Sequence, residues 1–172
     1  MNSENKIIVG HEEWCSFPEI NIPAVKCRVD SGAKTSALHA INITPFKKNG
    51  IPWIKFEVHP LQSDGKTTIN CEAPVHDKRK VKSSSGSSEL RFVIKTTLSI
   101  AEETWEVEVT LTNRDNMGYR MLLGRQAMTG KMLVDPESHC LLGQPTEEFL
   151  QQYYHSKDIK KNGLKRRDPG RV

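Results

Sequence analysis

Apolar residues recur at every second position along much of this chain, while long runs at helical spacing do not occur. Val25, Cys27 and Val29 alternate with Lys26 and Arg28, and Ile54, Phe56 and Val58 alternate with Lys55 and Glu57. Successive side chains of a strand point to opposite faces, so a period of two buries one face and wets the other. Leu90, Phe92, Ile94, Leu98 and Ile100 then fall on even positions, and Trp105, Val107, Val109 and Leu111 alternate with Glu106, Glu108 and Thr110. These two runs predict a long antiparallel hairpin that turns near Ala101 to Glu103. The fold class is mostly β.

Helix signals are short. They cover Arg125 to Thr129, and Thr146 to Tyr154, where Thr146 is suited to cap the first turn and Glu147 and Glu148 favour its positive end. Lys131 to Asp135 and Cys140 to Leu142 read as two further strands joined by a turn at Pro136. The turn formers in Pro45 to Pro52 and Ser63 to Lys66 predict loops.

With 172 residues and 36% hydrophobic content, the chain has material for one core, expected to span residues 1–154. Residues 155–172 hold seven Lys or Arg and two Asp, a net of +5, which leaves 18 basic and 19 acidic residues for the body. The positive charge therefore belongs to a tail with few large apolar residues, expected to stay mobile or to dock on something acidic. Contact with RNA or a ribosome is the functional reading of such a tail, although it has no aromatic residue to stack on bases. Met1 to Lys6 are polar and no apolar run reaches about 18 residues, so neither a signal peptide nor a membrane span is expected, and the predicted setting is the cytoplasm. Cys15, Cys27, Cys71 and Cys140 are too scattered for a disulfide framework and read as small core residues.

Two stretches carry chemistry. Asp30-Ser31-Gly32-Ala33 closes the first alternating run, and Met121-Leu122-Leu123-Gly124-Arg125 closes a later one, with Gly124 standing 94 residues after Asp30. Asp and Ser cap their own backbone in a turn, Gly32 permits close backbone approach, and Ala33 leaves room for a neighbouring segment. Hydrolysis of a peptide by carboxylates needs two acids within a few Å, one ionised to activate water and one protonated to polarise the carbonyl. The chain holds one such Asp. A two-fold axis bringing Asp30 of one chain against Asp30 of another supplies the second, which predicts a homodimer.

Asp30-Ser-Gly-Ala-Lys-Thr-Ser-Ala-Leu38 resembles the active-site segment of retropepsins, and Met121-Leu-Leu-Gly-Arg-Gln-Ala-Met128 resembles their later Gly-Arg segment. Ser83 to Ser88 resembles a flap tip, since Gly86 precedes Gly124 by 38 residues. From Lys6 to Gln144 the chain is similar to a bacterial and archaeal family labelled ATP-dependent zinc proteases and associated with RimK-type ATP-grasp ligases. This resemblance implies a closed retropepsin-like β-barrel with one or two short helices and Asp30 as the catalytic residue. It also implies Ser31 as a hydroxyl bracing two active-site turns, Gly32 as a backbone donor to the carboxylate, and Leu123, Gly124 and Arg125 as support. Flap and substrate contacts fall to Ser84, Ser85, Gly86, Lys78 and Arg79. The implied substrate is a glutamate tail added by a RimK-type ligase to a ribosomal protein, with that ligase or the ribosome as a further partner.

Lys34 stands where retroviral enzymes carry an acid that pairs with the arginine of the Gly-Arg segment, so Arg125 is expected to find Asp135, Glu137 or a carboxylate of the partner chain. The length in excess of a minimal retropepsin is placed within residues 42–78. The cations Lys78, Arg79, Lys80 and Lys82 before the flap tip, and Arg91 after it, suit an acidic peptide. No ligand motif supports the zinc of the family label: HExxH is absent, and Cys71 to His76 and His139-Cys140 are the close pairings, read as ordinary strand or loop residues. His39, nine residues after Asp30, reads as a packed or capping side chain rather than a ligand. No GxxxxGK loop is present, so ATP dependence would reside in a partner, and no cofactor is expected. The competing reading is a catalytically silent module that binds peptides, or associates with ribosome or RNA.

Overall fold

A computed structural model of the chain describes residues 5–61, 67–82, 85–113 and 118–155. The loop read at Ser63 to Lys66, Ser83 and Ser84 of the flap tip, and the tail beyond residue 155 lie outside the described residues.

The strands are β1 (Ile7–Val9), β2 (Glu12–Phe17), β3 (Ile22–Val29), β4 (Ser36–His39), β5 (Ile41–Lys48), β6 (Ile51–Val58), β7 (Ile69–Pro74), β8 (Asp77–Lys82), β9 (Ser88–Ile100), β10 (Glu103–Thr112), β11 (Met121–Leu123) and β12 (Met132–Val134). Helices α1 (Arg125–Met128) and α2 (Glu147–Leu150) are each one turn long. The main sheet runs β10-β4-β11-β3-β2-β9-β8, and β10 also pairs with β9, so the hydrogen-bonded neighbours form a cycle. Its weakest joint is β2 to β9, a single pair at Ser16 and Ser99.

The hairpin of β9 and β10 matches its alternation, with Trp105 opposite Leu98 and Val109 opposite Ile94. Its two-residue turn is Ala101-Glu102, both left-handed at φ 52 and 64, the backbone twist that two-residue hairpin loops require. Strands β5, β6 and β7, which but for Ile41 fall inside the 42–78 span marked as excess length, form a separate three-stranded sheet, β5-β6-β7. Its inner face carries Ile54, Phe56 and Val58 without exposed surface, each worth about 1.5–3 kcal/mol of transfer free energy, and joins the common core with Ile20, Leu98 and Leu111.

Two expectations fail. Pro45 to Pro52 is not a loop: Asn49-Gly50, at φ 51 and 77, turns β5 into β6 as a tight hairpin. The prolines are tolerated because Pro45 sits on an edge strand and Pro52 near the start of β6. Cys140 to Leu142 is not a strand. The buried Glu13 carboxylate takes the N–H groups of Leu141 (3.0 Å) and Leu142 (3.1 Å) and of Gly10 (2.7 Å), so those amides have no ladder to join. At Gly10 an added Cβ would stand 2.3 Å from the Ser138 carbonyl oxygen, which is why a glycine lies under this loop.

Thr146 caps α2 as expected, its hydroxyl accepting from Phe149 N at 3.1 Å. The chain continues as a π-type turn over Gln151–His155 that seats Tyr154 in the core, its hydroxyl accepting from Ala24 N at 2.9 Å and donating to Ala24 O. Burial pushes the Tyr154 hydroxyl well above its ordinary value.

Candidate active site

Strand β3 delivers Asp30 to a turn held from two sides. Val29 N donates to His11 O and Asp30 N to Leu123 O, both at 2.9 Å. Inside the turn, Ala33 N donates to Asp30 O (3.2 Å) and Gly32 N to the Asp30 carboxylate at Oδ1 (3.0 Å). A Cβ at Gly32 would stand 3.2 Å from that oxygen, a tight approach. Asp30 is half-buried, and Ser31 and Gly32 are exposed.

The Leu123-Gly124-Arg125 segment latches the turn from below. Arg125 N donates to Ala33 O (2.7 Å) and Gln126 N to Lys34 O (3.0 Å). Gly124 N donates to the buried Ser36 Oγ at 2.9 Å. A Cβ at Gly124 would lie 2.5 Å from Thr35 C, 2.7 Å from Ser36 N and 2.8 Å from Thr35 O, all backbone atoms, so β11 can leave the sheet here only without a side chain.

Arg125 does not take Asp135 or Glu137. Its guanidinium Nη1 donates to the Ser31 carbonyl at 2.8 Å. Asp135 instead closes its own turn, accepting from Glu137 N (3.1 Å) and Ser138 Oγ (2.7 Å). The arginine thus ties the Asp30 turn to α1 within one chain.

The flap candidate is the β8–β9 hairpin, with Lys82 opposite Ser88 and Gly86 left-handed at φ 88. Ser85 and Gly86 are exposed at its tip. Its cations are not all available to a ligand. Arg79 pairs with Asp77 (2.6 Å) and Glu108 (2.9 Å), which hold its guanidinium above the ordinary value, while Arg79 holds Asp77 below the usual carboxylate range. Lys78 lies over the Phe92 ring at 5.1 Å and is exposed, as are Lys80 and Lys82. Arg91 is buried, its Nη1 on Thr110 Oγ1 at 3.5 Å, and Thr110 Oγ1 donates to Ser36 O at 3.3 Å. Ser36, which also receives Gly124 N, thus ends a chain of polar contacts from the flap stem to the segment that latches the Asp30 turn. Sequence reading missed Ser36 and Thr110, since a buried hydroxyl inside an alternating strand carries no motif.

A second group of polar residues lies beside β3. Glu12 Oε2 is 3.0 Å from Lys26 Nζ, and Glu12 Oε1 accepts from the Tyr119 hydroxyl at 3.0 Å. Burial works to raise the Glu12 carboxyl, but hydrogen bonds from Lys26 and Tyr119 hold it below the usual range. Burial and the nearby Glu12 charge push the Cys140 thiol up. Glu12, His139 and Cys140 are the group among the described residues that offers three metal-ligating atoms close together. His39 is buried, as expected of a packed side chain.

Residues 8–145 match the family model described as "Retropepsin-like aspartic endopeptidase RimB". Proteins named "Probable alpha-L-glutamate ligase" are 54% identical: one from Shewanella halifaxensis over 163 residues, 95% of this chain and 36% of that protein, and one from Desulfotalea psychrophila over 160 residues, 93% and 34%. The chain thus spans about a third of the length of these curated relatives. A crystal structure of a Legionella pneumophila protein of unknown function superposes with a TM-score of 0.66 at 29% identity, over 78% of this chain and 97% of that one.

Proposed function

Because the chain belongs to the RimB-like family of retropepsin-like aspartic endopeptidases, we propose that it hydrolyses peptide bonds with a water activated by Asp30. The observation that carries this reading is the Asp30 carboxylate held by Gly32 N–H in a turn latched by Leu123, Gly124 and Arg125. One carboxylate is ionised and removes a proton from water; the second, Asp30 of a partner copy, is protonated and polarises the scissile carbonyl. Water oxygen bonds to the carbonyl carbon, the C–N bond breaks, and the proton leaves on the amine. Ser31, its carbonyl fixed by Arg125, presents its hydroxyl to the partner's turn. We read the strand cycle β10-β4-β11-β3-β2-β9 as a closed barrel, with Ser85 and Gly86 at the tip of a flap over the cleft.

The proposed substrate is an acidic tail rich in glutamate. Relatives three times as long carry "alpha-L-glutamate ligase" in their names, and a peptidase beside such chemistry would remove what a RimK-type ligase adds. Lys78, Lys80 and Lys82 on the flap stem are the exposed cations that an acidic chain would meet, each contact contributing about 0.2–1 kcal/mol. The cytoplasm, where ribosomal substrates reside, is the corresponding setting.

The test is cleavage of a glutamate-tailed peptide by the wild-type chain and by Asp30→Asn, from acid to neutral pH. Cleavage abolished in Asp30→Asn is the expected result. Equal cleavage by both removes Asp30 from the chemistry, and binding without cleavage by either makes the chain a peptide-binding module. Light scattering at assay concentration reports the dimer; a strictly monomeric, fully active species would defeat the shared pair of carboxylates.

A further inference from the structure

The loop after β12 doubles back onto β2. Cys140 N donates to Glu12 O at 2.9 Å, and the amides that follow end on the Glu13 carboxylate. This anchor holds Cys140 in the left-handed region at φ 50, a conformation that residues with a Cβ seldom adopt. Cys140 Sγ is 4.0 Å from Glu12 Oε2, and the ligating atoms of Glu12, His139 and Cys140 all lie within 4.8 Å of one another. In a tetrahedral site with metal–sulfur bonds of about 2.3 Å and metal–nitrogen or metal–oxygen bonds of about 2.0–2.2 Å, donor atoms stand about 3.3–3.6 Å apart. Side-chain rotation covers that difference.

Three further features fit a ligand set. His11, next to Glu12 in the chain, packs beside His139 with ring centroids 5.8 Å apart, so a second imidazole borders the cluster. The Tyr119 hydroxyl holds Glu12 Oε1, orienting the carboxylate so that Oε2 faces the thiol, as outer partners of metal ligands do. His139 is exposed, which gives an entry path. Lys26 is the competitor: its ammonium occupies Oε2 at 3.0 Å, but its side chain is 31% exposed and free to swing into solvent.

We propose that Glu12, His139 and Cys140 form a binding site for a divalent cation of the zinc class, with His11 or water as fourth ligand. Thiolate, imidazole and carboxylate together select zinc or cobalt over magnesium or calcium. Binding exchanges the thiol proton for the metal and involves no change of oxidation state. Glu12 lies opposite Arg28 in the β2–β3 ladder, so the metal pins the loop after β12 to the strand pair that leads into Asp30. The site stands apart from the peptidase chemistry and does not depend on it.

The purified full chain is titrated with cobalt(II), followed by competition with zinc. The expected result is one cobalt per chain with a thiolate-to-cobalt charge-transfer band in the near ultraviolet, displaced by zinc. Cys140→Ser removes the band, His139→Ala weakens zinc binding about tenfold or more, Lys26→Met tightens it, and Asp30→Asn leaves it unchanged. His139 is exposed, so His139→Ala keeps the fold, checked by circular dichroism. A folded wild-type chain without the band overturns the site. So does a band that survives Cys140→Ser, or zinc binding indifferent to both His139→Ala and Lys26→Met.

Discussion

Gly124→Ala reverses the usual effect of replacing a glycine. Its φ of −87 suits any residue, and at such a position Gly→Ala ordinarily stabilises a protein by about 0.4–1 kcal/mol through the unfolded chain. Here the new methyl would meet Thr35 C at 2.5 Å, Ser36 N at 2.7 Å and Thr35 O at 2.8 Å. None of these is the end of a flexible side chain, so β4 and the Asp30 turn must separate from β11. Overpacking of this kind costs about 1–3 kcal/mol, and at about 2–4 °C per kcal/mol for a chain of this size the melting temperature falls measurably. The same movement disturbs the bonds from Leu123 O to Asp30 N and from Arg125 N to Ala33 O, and about 1 Å of misplacement can cost about a hundredfold in rate. Urea unfolding of Gly124→Ala is compared with Gly130→Ala, where φ is 79 and nothing lies within 4 Å of the new methyl. The control tests backbone strain alone. A Gly124→Ala chain as stable as wild type, or more stable, would refute the close packing of β11 against β4.

Arg125→Met removes the tether on the Ser31 carbonyl from an exposed position; stability should change by less than about 0.5 kcal/mol while kcat for peptide cleavage drops, and unchanged kcat would end the positioning role. Glu13→Gln places an NH2 group among three N–H donors, and urea denaturation should show a loss of about 1–3 kcal/mol; wild-type stability would show the carboxylate to be dispensable. Tyr154→Phe strips the partner from Ala24 N–H and C=O at the edge of β3, and should cost a similar amount. Because the folded Tyr154 hydroxyl titrates above its unfolded value, its contribution is complete below about pH 10 and declines as pH rises further. That alkaline decline should be shallower in Tyr154→Phe, and parallel pH profiles would contradict the buried hydroxyl.

The strands that sequence revealed are those whose signal is local. The β9–β10 hairpin and the Asp30 turn both announce themselves within one continuous stretch of chain, and the structure places them where alternation and turn chemistry put them. The β5–β6 hairpin was hidden because two prolines outweighed Asn49-Gly50, although that pair is the stronger short-range signal for a hairpin. The Cys140 to Leu142 segment looked like a strand because the residue that claims its amides, Glu13, lies more than a hundred positions away. The partner of Arg125 was illegible for another reason: a backbone carbonyl has no residue type by which to find it. Glu12, His139 and Cys140 combine both difficulties, since no spacing rule links a strand residue to a loop at the other end of the chain.

The latch on Asp30 also bears on the order of events during synthesis. Among the described residues, the amide of Asp30 and the carbonyls of Ala33 and Lys34 find partners in Leu123, Arg125 and Gln126. A chain emerging from its N terminus exposes the Asp30 turn long before those residues appear, and such distant contacts close late. The nascent chain therefore leaves the exit tunnel with the Asp30 turn unassembled, and the turn is completed only when β11 and the first residues of α1 have been made.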